Sequence, residues 1–144
     1  LRKLGTGTLT LAGAVTNTHT GLVNVNTGTL ELNVTGGNAI GSGGLLISGA
    51  TPTVRLLASN QIADNALVEI RNGTSTNQRF DLNNFSETVG GLLLTSTSTG
   101  GLTVSTGASG VLTVLGDIIM NNNRTTDANT TEFQLLITGN GSVI

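Results

Sequence analysis

Cysteine, tryptophan and tyrosine are missing from this chain, and charge is sparse. Without cysteine there are no disulfides and no thiolate metal sites. The lack of Trp and Tyr counts against a sugar-stacking platform or a typical aromatic hot spot. Six basic and eight acidic residues are scattered to a net charge of −2. This leaves no electrostatic footprint for nucleic acid and no polybasic membrane patch. No apolar run approaches the roughly 18 residues a membrane-spanning helix needs.

Thr (25 residues), Gly (21) and Asn (16) make up 62 of 144 positions, a composition unlike that of ordinary enzymes. Regular Leu, Val and Ile pairs supply a burial pattern that a disordered tract lacks. In the first thirty-three residues the pairs Leu9/Leu11, Val23/Val25 and Leu30/Leu32 alternate with polar residues at period 2 and are bounded by Thr, Gly and Asn. That is strand, turn, strand, turn, strand, with no helical periodicity. The same grammar recurs to the C-terminus, which marks a repetitive β architecture. Pro52, the only proline, falls just before a run, where a strand loses an N–H donor at little cost.

Two series of apolar runs emerge by spacing: Leu9, Leu30, Val54, Phe80, Leu102, and Val23, Leu45, Val68, Leu92, Leu112, Leu135. Both recur about every 22 to 23 residues, which predicts one all-β domain over 1–144. The expected fold is a parallel β-helix (β-solenoid) of about six turns, with strands stacked at about 4.8 Å. A sandwich of hairpins is the competing architecture and does not require that recurrence. In a coil, inward aliphatics stack into columns, outward Thr suits exposed β surface, and Gly and Asn take tight corners.

The residues Lys3, Gly5, Thr6–Leu11, Ala12-Gly13, Asn17-Thr18, Thr20-Gly21, Val23, Val25 and Thr27–Leu30 resemble the autotransporter-associated β-strand repeat. That repeat occurs in passenger domains of Gram-negative type V secretion proteins. His19 and Leu22 depart from the family's commoner Tyr and Gly. The stretch Phe80–Leu92 resembles a second segment of the same passengers. The resemblance implies a right-handed β-helix on the extracellular or outer-membrane surface of a Gram-negative bacterium. The role it implies is that of an exported passenger segment, a stalk or adhesin, with a polysaccharide-active enzyme on the same fold as the competing class.

Chemistry is thinly represented. Glycoside cleavage needs two carboxyls about 5 to 10 Å apart, and Glu69 and Asp81 are the pair that adjacent turns would bring nearest. Both equally read as single outward residues between buried neighbours. His19 has no Cys and no acid at ligand spacing, so it reads as a corner side chain and not a metal ligand. None of the Gly-Gly pairs before Leu continues into the calcium-binding Gly-Gly-x-Gly-x-Asp pattern, and no nucleophile motif occurs. No cofactor is implied.

Two features point outward. Residues 121–131 (NNNRTTDANTT) form the longest strand-free polar tract. It reads as an extruded loop: a tolerated insertion, or a recognition element built from Asn121, Asn122, Asn123, Arg124, Asp127 and Asn129 that would meet host or cell-surface glycans or proteins. Leu1 begins inside a motif and the chain closes on an apolar residue, Ile144. The expectation is axial continuation by further repeats or by stacked copies in an extracellular filament. Leu9 and Leu11 at one end, and Ile137, Val143 and Ile144 at the other, would make the contacts.

Overall fold

The computed structural model describes residues 1–73, 77–98, 100–122 and 135–144, with the backbone alone at 135–138. The chain is all-β and coils as a parallel β-solenoid of about five turns. Among the described residues the strands are β1 (Arg2–Lys3), β2 (Thr8–Gly13), β3 (Val23–Val34), β4 (Leu45–Leu56), β5 (Leu67–Asn72), β6 (Gln78–Asp81), β7 (Glu87–Val89), β8 (Gly91–Ser96), β9 (Leu102–Gly107), β10 (Val111–Val114), β11 (Ile118–Asn122), β12 (Leu135–Gly139) and β13 (Ser142–Val143). Every strand pairing among them is parallel.

The strands form three faces. The first stacks Lys3, Val25, Ile47, Ile70, Leu94 and Met120 in register through β1, β3, β4, β5, β8 and β11. The second stacks Leu9, Leu30, Val54, Phe80, Val104 and Ile137 through β2, β3, β4, β6, β9 and β12. The third begins as a single bridge, Ile40 to Ile62, and becomes a true ladder only in β7, β10 and β13. Strands β3 and β4 run through the bend between the first two faces, with register shifts around Thr27. Gly28 at φ +72 and Thr51 at φ +51 occupy that bend in successive turns, and buried Pro52 follows directly.

The aliphatic columns are the core. Val25, Leu30, Ile47, Val54, Ile70, Phe80, Leu94 and Val104 are wholly buried, because each alternate side chain of a strand points inward and meets its counterpart one turn away. Leu30, Leu45, Val68, Leu92 and Leu112 are buried as the periodicity demands. Of the outward acids, Asp117 is exposed, but Glu31 is only partly exposed and the Glu69 side chain is 14% exposed, because side chains of neighbouring turns cover them.

Two register assignments need correction. Phe80 pairs with Val104, while Leu102 pairs with Gln78. Leu92 is followed on its face by Ile118; Leu112 belongs to the third face and Leu135 to the second. The cause is drift in turn length: partners on the first face lie at 3, 25, 47, 70, 94 and 120, so the step grows from 22 to 26 residues. A constant spacing therefore steps from one face onto another.

Candidate functional site

The chemistry-bearing side chains do not converge on a cleft. They are distributed along the corners, where they bind one turn to the next. Asn17 donates from Nδ2 to the carbonyl of Ala39 at 2.9 Å, and Asn38 does the same to Ile62 at 2.8 Å. Asn77 and Asn84 accept through Oδ1 from the backbone N–H groups of Gly101 and Ala108 at 2.9 and 2.6 Å. An amide side chain supplies both a donor and an acceptor, so it satisfies corner backbone that no strand ladder reaches.

Asn72, fully buried, is the most heavily used of these amides. Its Oδ1 accepts from Thr97 N–H at 2.8 Å and Ser98 N–H at 3.3 Å, and its Nδ2 donates to the carbonyls of Gly100 and Ser98. Gln61, equally buried, reaches back to Val34, accepting its N–H at 2.7 Å and donating to its carbonyl at 2.9 Å. Lys3 is the polar counterpart at the first rung. It takes the inward position of the first face, and its Nζ donates to the carbonyls of Gly5 at 2.7 Å and Thr27 at 3.0 Å.

Among the described residues Glu87 is the deepest carboxyl, 1% exposed at an inward position of β7 opposite Leu112. It accepts the N–H of Gln61 at 2.7 Å and of Thr88 at 3.1 Å, and a further backbone hydrogen bond links it to Ile62. Burial pushes its carboxyl up from the ordinary 4.5 to about 7, against the opposing pull of those N–H donors and with a small push from Asp64. The structural roles of Gln61, Asn72 and Glu87 are not legible in the sequence, since isolated polar residues near turns read as solvent-facing punctuation. The one available signal for Glu87 was its position two residues before Val89 in an alternating run, which places it inward.

The two acids singled out for catalysis lie on different faces and are both engaged. Glu69, on the first, pairs with Arg71 at 2.6 Å and accepts from Thr95 Oγ1. Asp81, on the second, pairs with Arg55 at 3.1 Å and Arg79 at 3.5 Å. His19 is half-buried, and its Nε2 is shielded from water without a hydrogen-bond partner. Among the described residues no three His, Asp or Glu side chains gather at metal-ligating distance, and no helix is long and apolar enough to cross a membrane.

Of the candidate recognition residues, Asn121 and Asn122 are exposed at the end of β11, paired with Thr95 and Ser96. Asn123, Arg124, Asp127 and Asn129 lie outside the described residues. At the ends of the coil, Leu9, Leu11 and Val143 pack partly buried against the core, Ile144 is largely exposed, and Ile137 is paired with Val104. Ile118 and Met120, inward by register, are about half exposed because no further strand lies over them among the described residues.

Residues 1–32 match the passenger-associated-transport-repeat family, in agreement with the autotransporter resemblance of the same stretch. Comparison with curated proteins and with solved structures yields no match. The repeat's family implies a secreted or cell-surface location and a structural role.

Proposed function

We propose that this chain is a load-carrying length of a surface passenger, a stalk or adhesin segment of a Gram-negative autotransporter, with no catalytic activity of its own. The observation that carries the reading is that a passenger-type repeat leads directly into a solenoid whose polar side chains are spent on joining turns. Glu69 is engaged by Arg71, Asp81 by Arg55 and Arg79, and the two lie on different faces, which does not supply the facing pair of carboxyls that glycoside cleavage uses. The purified chain is expected to leave acidic and neutral polysaccharides uncut. Turnover that disappears in Glu69→Gln or Asp81→Asn would overturn this reading in favour of an enzyme.

The half-exposed inward positions of β11 favour a second reading, axial continuation by further turns or by copies of the chain. A rung with free N–H and C=O groups beside apolar side chains is a template for another rung. Electron microscopy with light scattering separates the possibilities. Rods that lengthen with concentration support stacked copies, and a monodisperse particle at high concentration argues against them.

A further inference from the structure

The third face contains a break that the other two lack. Asn60 N–H donates to the Ser86 carbonyl at 3.0 Å, and Gly90 N–H donates to the Ala66 carbonyl at 2.8 Å. Between these points the third turn meets the fourth without a backbone ladder, and Gln61 N–H is taken by the Glu87 carboxyl instead. A side chain has replaced main-chain carbonyls as the acceptor across the seam. Through Gln61 the connection extends to Val34 in the turn before, so a single polar line crosses three turns.

We propose that the Glu87 seam is a proton-controlled joint: with the carboxyl neutral the fourth turn is locked to the third, and with it ionised the third face opens at this point first. A carboxylate accepting backbone N–H bonds is stable only while the bonds outweigh the loss of hydration. Among the described residues no cation helps here. Asp64, on the third turn's corner, adds negative potential. Strand β10, on the other side, offers Val111–Val114 and no ionisable group. Within the same turn, Asp81 is already held by Arg55 and Arg79 on the second face. A folded-state value raised above the unfolded one contributes stability that is complete below the ordinary 4.5 and disappears as pH rises through about 7.

The experiment is a carbon-13 titration of the Glu87 side chain in the whole 144-residue chain, with amide exchange, normalised for intrinsic rates, from pH 5 to 8. The expected midpoint is near 7, with protection at Gln61, Ile62 and Thr88 falling by about tenfold or more while Ile47 and Ile70 are unchanged. Glu87→Gln should abolish the pH dependence at those three amides. A midpoint near 4.5, or an equal loss of protection on all faces, would overturn the proposal. The titration decides even if the variant does not fold.

Discussion

At the scale of single residues, stability rests on two kinds of buried side chain that tolerate substitution differently. Leu45, 1% exposed, stacks between Val23 and Val68, and truncating it leaves a cavity that rigid neighbouring turns cannot close. Leu45→Ala is expected to lower unfolding free energy by about 2 to 5 kcal/mol in denaturant titration, while exposed Thr10→Ser should change it little. Asn72 has no aliphatic substitute. Asn72→Ala removes the partner of Thr97 N–H and of the Gly100 carbonyl together, a loss of roughly 2 to 6 kcal/mol at about 1 to 3 per orphaned group. Asn72→Asp should be at least as damaging, since it sets a carboxylate oxygen against those carbonyls. By contrast Arg55, 41% exposed, forms an ion pair that water largely screens, so Arg55→Ala should cost under about 1 kcal/mol.

At the scale of elements, the bend between the first and second faces is a point of close backbone constraint. A methyl on Gly28 would stand 2.5 Å from the Gly7 carbonyl oxygen at φ +72, so Gly28→Ala should destabilise by on the order of 3 kcal/mol. One turn later Thr51 holds a left-handed φ that β-branched residues disfavour. Thr51→Gly is therefore expected to raise stability by up to about 1 kcal/mol, read as a higher thermal midpoint. The strands themselves were legible in sequence, because Leu9/Leu11, Val23/Val25 and Leu30/Leu32 alternate cleanly and pair in register as their spacing implies. Legibility declined past Phe80. Aliphatic pairs look alike on every face, so once the turns lengthened Leu112 and Leu135 could not be told from true successors of Leu92. The corner amides and Glu87 were illegible for a different reason: alternation identifies an inward position, but not the backbone gap that a polar group there will fill.

At the scale of the whole molecule, each turn is held by the turns directly before and after it, through ladder bonds and stitches that join residues about 20 to 30 apart in sequence. Stability is then a sum of turn and interface contributions and not the property of one indivisible core. The step between register partners, 22 residues at the first turns and 26 at the last on the first face, also sets how the rod yields under tension. Pulled from its two ends, it should release chain in discrete lengths of one coil, each roughly 75 to 90 Å at about 3.3 to 3.6 Å per residue. Force spectroscopy would record a staircase whose steps grow slightly from the first coil towards the last. A single rip of the entire contour would mean that the coils fail together. A solenoid that yields by instalments would dissipate a sudden load without parting, and the lengths it releases are written in the spacing of its leucines and valines.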